Sequence, residues 1–72
     1  MYQILLRLKI VKTGQIIEVK FDERLSFKDN MRLLYGDDSD FKVFDPLKRI
    51  FLDENIPLEN FHIETFMFFY LL

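Results

Sequence analysis

The last seven residues of this 72-residue chain, Phe66 to Leu72, include no charged side chain. Strand alternation divides them into two sets on opposite faces, Phe66, Phe68 and Tyr70 against Met67, Phe69 and Leu71. Both sets are apolar or aromatic, which is typical of a strand in the middle of a sheet and not of one at its edge. The segment therefore predicts a central strand with a neighbour on each side.

The first twenty-one residues predict a β-hairpin. One face of the first strand carries Tyr2, Ile4, Leu6, Leu8 and Ile10, and the other carries Gln3, Leu5, Arg7, Lys9 and Val11. A turn over residues 12–15 follows, in which Gly14 is free to adopt a positive φ. The second strand then alternates Ile17, Val19 and Phe21 with Glu18 and Lys20.

A short helix is predicted after this hairpin. Ser26 followed by Asp29 resembles a capping box at the helix start, and Gly36 is placed to end the helix as its C-terminal cap. Between them, Phe27, Met31 and Leu34 fall on one stripe. We expect Phe27 and Leu34 to lie in the core, together with Ile17, Val19, Leu52, Ile63 and one alternating set from the last strand.

The second half of the chain predicts a further strand pair and a turn of helix. An acidic connector over residues 37–40 precedes a strand at 41–44, and a turn over residues 45–48 precedes a strand at 49–52. Residues 58–61 predict one helical or 3₁₀ turn. The order β-β-α-β-β-turn-β predicts an α+β fold in a single domain over residues 1–72.

Composition narrows the range of functions. The chain has no cysteine, a net charge of −2 and scattered Lys and Arg residues, so we expect no thiolate chemistry, no disulfide and no nucleic-acid partner. No signal peptide or membrane-spanning stretch is evident, and we expect a cytoplasmic protein without membrane insertion.

Candidate chemical sites are few. His62 is the single histidine and has no evident second metal ligand, and the aspartates of residues 37–40 lack the spacing of a calcium-binding loop. The two glycines, Gly14 and Gly36, are too far apart to form a phosphate-binding loop. Ser26, Ser39 and His62 do not indicate a catalytic triad. We therefore expect no catalytic residue, metal or cofactor site, and no enzyme activity.

The element order and several segments resemble ubiquitin and its β-grasp relatives. Residues 14–20 resemble ubiquitin's second strand, and Leu25-Ser26-Phe27 lies where ubiquitin enters its helix. Leu52-Asp53-Glu54 and residues 58–63 resemble ubiquitin's Leu-Glu-Asp and Leu-Ser-Asp-Tyr-Asn-Ile segments. The resemblance implies a β-grasp fold, a mixed sheet packed on one helix.

The chain also departs from ubiquitin. Its helix is shorter, Asn30 stands where ubiquitin has a buried valine, and residues 1–72 contain no Gly-Gly pair. The sequence is similar to the YukD-like group, tail-less accessory proteins of bacterial type VII secretion. This resemblance implies a non-conjugated, cytoplasmic interaction module. A ubiquitin-like domain from a larger regulatory protein and a truncated sulfur carrier or modifier remain as alternatives.

One face of the sheet is expected to be the binding surface. A β-grasp helix covers a single face, so one alternating set of the last strand should lie on the open face. We assign the protein-binding site to Leu5, Val11, Met67, Phe69 and Leu71, since Met67 and Phe69 lie close to the positions of residues in ubiquitin's apolar patch. The expected partner is another protein, either a secretion component or a second copy of the chain.

Overall fold

The computed structural model of the protein describes residues 2–36 and 40–72. Its elements, in chain order, are β1 (Gln3–Ile10), β2 (Gln15–Asp22), α1 (Phe27–Tyr35), β3 (Val43–Asp45), β4 (Ile50–Leu52), a 3₁₀ turn (Leu58–Phe61) and β5 (Phe68–Leu71). The predicted α+β class is confirmed. The last three strands are shorter than predicted, and residues 37–39 of the predicted connector lie outside the described residues.

The five strands form one mixed sheet in the order β2-β1-β5-β3-β4. The C-terminal strand β5 pairs in parallel with β1 and antiparallel with β3, so its predicted central position is confirmed. Between β1 and β2 the turn contains Gly14 at φ 74°, the positive value that the hairpin prediction requires.

The caps predicted for α1 are both present. The Ser26 hydroxyl accepts a hydrogen bond from the Asp29 backbone N–H at 3.1 Å, and Gly36 ends the helix in the left-handed region at φ 63°. No helix in the described part of the chain has the length and hydrophobicity needed to cross a membrane.

The core lies between α1 and one face of the sheet. Its buried apolar residues are Leu6, Leu8, Val19, Phe21, Phe27, Met31, Val43, Leu52, Leu58, Phe69 and Leu71. At its centre, Phe27 meets Phe21 and Phe69 edge-to-face, with ring centroids 5.6 and 5.4 Å apart. Ile17 and Ile63, predicted as core residues, are partly buried and pack against this cluster.

The outward orientation predicted for Met67, Phe69 and Leu71 is wrong. Phe69 is 0% exposed, Leu71 is buried, and Met67 packs against the core. The reason is the register between β1 and β5, in which Phe69 lies beside Leu8 and Leu71 beside Ile10. Because neighbouring residues in a sheet share a face, the set that pairs with inward β1 residues must itself point inward.

The predicted burial of Leu34 is also wrong. Its side chain is 51% exposed, although Phe27 and Met31 on the same stripe are buried. The neighbouring Leu33 and Tyr35 are exposed too, so the last turn of α1 is open on all sides and only the earlier turns pack on the sheet.

This difference along α1 gives a stability prediction. Leu34→Ala should lower the free energy of unfolding by less than about 1 kcal/mol, because a half-exposed side chain loses little burial. The matched variant Met31→Ala, one turn earlier, should cost about 2–5 kcal/mol, because it leaves a cavity in the core. Urea unfolding followed by circular dichroism distinguishes them. A Leu34→Ala loss equal to that of Met31→Ala would contradict the exposed position of Leu34.

Buried Asn30 connects α1 to the end of β2. Its Oδ1 accepts from the Asp22 backbone N–H at 2.8 Å, and its Nδ2 donates to the carbonyl oxygens of Asp22 and Ser26 at 3.0 and 2.9 Å. The amide therefore pairs with both backbone groups of Asp22 as an adjacent strand would. It stabilises the outer edge of the sheet where β2 ends.

Candidate interaction surface on the open sheet face

Four aromatic side chains form a continuous row on the face of the sheet that lies opposite α1. We call this row the aromatic ridge: Phe51, Phe44, Tyr70 and Phe68. Successive ring centroids lie 5.0, 6.2 and 5.5 Å apart, within the range for aromatic contact. The ridge crosses three adjacent strands, from the edge strand β4 through β3 to the central β5.

Strand register positions the ridge. Phe44 lies opposite Phe51 in the β3–β4 pair and opposite Tyr70 in the β3–β5 pair. Phe68 precedes Tyr70 by two residues and shares its face. The flanking residues Val43, Leu52 and Phe69 are buried on the helix side. The sheet thus separates two aromatic clusters, one inside the core and one on its outer surface.

The side chains of the ridge differ in their exposure to solvent. Phe51, on the edge strand, is 61% exposed, whereas Phe44, Phe68 and Tyr70 are partly buried by contact with one another. Adjacent apolar side chains on a protein surface are characteristic of an interaction site when they form one patch. The ridge is such a patch.

Cationic side chains border the ridge along β1. Arg7 lies beside Phe68 in the parallel register and Lys9 beside Tyr70, with the Lys9 Nζ 5.8 Å from the Tyr70 ring centroid. This places an ammonium group within range of a cation–π interaction. The positively charged side chains of Arg7 and Lys9 therefore lie directly beside the apolar surface of the ridge.

Two of the residues assigned to the binding site from sequence do lie near the ridge. Leu5 shares the open face with Arg7 and Lys9 and is half-buried, whereas Val11 is exposed just beyond the end of β1. They flank the ridge at the two ends of the β1 row, and their role in binding stays a prediction. Met67, Phe69 and Leu71 are on the other side of the sheet or within the core.

The start of β5 is held by an unusual backbone conformation. Phe66 adopts φ 67° and its N–H donates to the Leu5 carbonyl oxygen at 2.5 Å, while the Leu5 N–H donates to the Thr65 hydroxyl at 3.3 Å. A positive φ is strained for an aromatic residue. These bonds fix the register in which Phe68 and Tyr70 face outward.

His62 and Asp22 take structural positions. Exposed His62 closes the 3₁₀ turn at φ 54°. The described residues contain no group of three or more His, Asp or Glu side chains placed to hold a metal ion.

Asp22 accepts two hydrogen bonds from the Arg24 guanidinium, at 3.0 and 2.8 Å, and these hold the pKa of the Asp22 carboxyl below its usual value.

Sequence analysis missed all four ridge residues. It assigned the opposite set of the last strand to the site in place of Phe68 and Tyr70, and it did not single out Phe44 and Phe51. Both were placed in strands, but short strands give no alternation long enough to show which side chain points outward. A signal was available in the Phe44–Phe51 spacing, because a hairpin with a four-residue turn over 46–49 brings these two positions opposite each other.

Comparison with known proteins identifies the fold. A scan against protein-family models found no matching family, and a search of curated proteins found no match. Among solved structures, the chain is similar to the ubiquitin-like domain of an Arabidopsis thaliana protein, determined by solution NMR. The two share 16% sequence identity with a TM-score of 0.72, over 100% of this chain and 78% of the other. The chain has a ubiquitin-like β-grasp fold.

Proposed function

We propose that this ubiquitin-like β-grasp domain is a non-catalytic protein-interaction module, which binds its partner through the aromatic ridge. The observation that carries the proposal is the row of four touching aromatic rings on the open face, ending in a phenylalanine that is 61% exposed. Large apolar and aromatic residues at the centre of an interface often contribute about 2 kcal/mol or more each to binding.

The position of the ridge in the sheet supports this proposal. Its rings are held by three hydrogen-bonded strands and by one another, so their arrangement exists before a partner arrives. Preformed surfaces bind without the entropy cost of ordering side chains on contact. A module of this kind acts by docking, and it requires no catalytic residue or cofactor.

The type VII secretion role is a finer proposal that rests on sequence resemblance. The YukD-like similarity of the segment from Phe41 through the Pro-Leu-Lys turn to Ile63 favours a cytoplasmic accessory protein of such a system. In that role the aromatic ridge would dock on another component of the secretion machinery. Identifying the partner tests this finer proposal separately from the general one.

Site-specific photo-crosslinking tests the module directly. A benzoylphenylalanine introduced at Phe51 should yield covalent adducts with a protein partner in cells, because this side chain is the most exposed member of the ridge. The matched control carries the same group at Leu33, an apolar helix residue that is 73% exposed in the other layer of the fold. Mass spectrometry identifies each adduct.

We expect adducts at position 51, their loss when Phe68→Ser is added, and none at position 33. Adducts at position 33 alone, or adducts at 51 that persist in a folded Phe68→Ser protein, would contradict the aromatic ridge as the docking site. An adduct with a protein unrelated to secretion would support the proposed interaction module and contradict the proposed role in type VII secretion.

A further inference from the structure

We infer that the partner segment that docks on the aromatic ridge is acidic as well as apolar, an inference that rests on the proposed function. It is carried by the charge at the β1 border of the ridge, which has the opposite sign to the net charge of the chain. The protein as a whole has a formal charge of −2, whereas the border of the ridge along β1 is formed by Arg7 and Lys9.

The strands sort the charged side chains by face. Lys20 lies opposite Leu5 and so joins Arg7 and Lys9 on the open face. None of these three cations forms an ion pair with another described residue. Two anions oppose them: Glu18 lies opposite Arg7 in the β1–β2 pair, and Asp53 lies near Phe51 at the far end of the ridge. Two further open-face charges are already neutralised, because Asp22 is paired with Arg24 and Lys42 with Glu54.

The position of these cations determines which charge a docked partner would meet. Arg7 and Lys9 lie on the strand next to Phe68 and Tyr70. Glu18 lies opposite Arg7 on the outer strand β2, whereas Lys9 lies opposite the uncharged Ile16. A partner whose apolar side chains rest on the ridge would therefore meet positive charge first at this border. Carboxylates in the partner segment would complement it, and such complementarity supplies specificity and faster association.

The same charges disfavour a second copy of the chain as the occupant. In a symmetric face-to-face dimer, both copies would present the same excess of Arg and Lys side chains on this face to each other. Like charges brought together at an interface oppose association. The open face is thus suited to a different protein.

Ring geometry disfavours single-stranded nucleic acid, the other anionic ligand that aromatic and basic side chains often recognise. Base stacking needs accessible ring faces. In the ridge, Phe44 meets Phe51 at 62° and Phe68 meets Tyr70 at 84°, so ring edges are packed against neighbouring ring faces, and Lys9 lies near the Tyr70 ring. Much of the stacking surface is already used within the protein.

A random-peptide phage selection tests the inference. Wild-type protein should enrich peptides that combine large apolar residues with an excess of Asp and Glu over the starting library. Selection on Phe51→Ser/Phe68→Ser, after its fold has been checked by circular dichroism, identifies the peptides that depend on the ridge. Synthetic copies of those peptides are then measured by fluorescence anisotropy at low and raised sodium chloride.

Two charge reversals of equal size provide the matched comparison. Lys9→Glu should weaken binding of the selected peptides about fivefold at low salt, since an attraction becomes a repulsion at the border of the ridge. Lys12→Glu, in the exposed β1–β2 turn, changes the net charge equally and should leave affinity nearly unchanged. Raised salt should reduce the Lys9 effect because it screens exposed charges.

The outcomes separate the inference from the proposed function. Ridge-dependent peptides without an acidic excess, or equal effects of Lys9→Glu and Lys12→Glu, would overturn the acidic partner while keeping the interaction module. Failure to enrich any ridge-dependent peptide would overturn both. Tighter binding of oligothymidylate than of the selected peptides, or a stable dimer in sedimentation, would replace the acidic peptide with nucleic acid or a second copy.

Discussion

Phe69→Ser should unfold the domain. The Phe69 side chain is 0% exposed and its ring packs edge-to-face against Phe27 in the centre of the core. Truncation of a buried phenylalanine costs about 3–5 kcal/mol, and the serine hydroxyl adds a buried polar group. A domain of this size has only a few kcal/mol of net stability, so circular dichroism at 25 °C should show loss of the folded signal.

Phe68→Ser is the matched control, because it makes the same change one residue earlier on the open face. Phe68 is partly exposed and contacts Tyr70, so its loss should lower the free energy of unfolding by about 1–2 kcal/mol and leave the protein folded. Binding through the aromatic ridge should fall sharply in this folded variant. If Phe69→Ser melted near wild type while Phe68→Ser unfolded, the assignment of the two faces would be reversed.

Asn30→Ala should destabilise the protein by at least about 2 kcal/mol, because buried backbone groups lose their hydrogen-bond partners. The variant leaves the N–H and carbonyl of Asp22 without the Asn30 amide and frees the Ser26 carbonyl from its side-chain donor. Urea unfolding gives the size of the loss. Hydrogen exchange should show faster exchange of the Asp22 amide in the native state.

Asn60→Ala makes the same chemical change at an exposed position in the 3₁₀ turn. It should alter the free energy of unfolding by no more than about 0.5 kcal/mol, as is usual for surface substitutions. Equal stability of the two variants, or an unchanged Asp22 amide in Asn30→Ala, would show that the Asn30 side chain does not hold the end of β2.

Much of the fold could be predicted because its signals depend on residues that are close together in the sequence. The β1–β2 hairpin follows from alternation and one glycine, and the ends of α1 follow from Ser26 and Gly36. Each of these signals acts within a few residues of the chain. The central position of β5 follows from apolar residues on both of its faces.

The same apolar character prevented a prediction of the binding surface. With both sets of β5 hydrophobic, composition gives no preference between Phe69 inward and Phe68 inward, and a shift of one residue exchanges them. The choice depends on pairing with β1, from which β5 is separated by more than fifty residues. Likewise, burial of Leu34 depended on how far the sheet extends beneath α1, which a helical stripe does not specify.

The amino-acid sequence by itself determined the elements, their caps and turns, and the β-grasp order, because these depend on neighbouring residues and hydrophobic periodicity. Tertiary structure alone decided which side of the sheet is the core, and it placed Phe44, Phe51, Phe68 and Tyr70 beside Arg7 and Lys9. The physical reason is that a sheet face combines residues from strands far apart in the chain, and only the register between those strands determines which side chains meet.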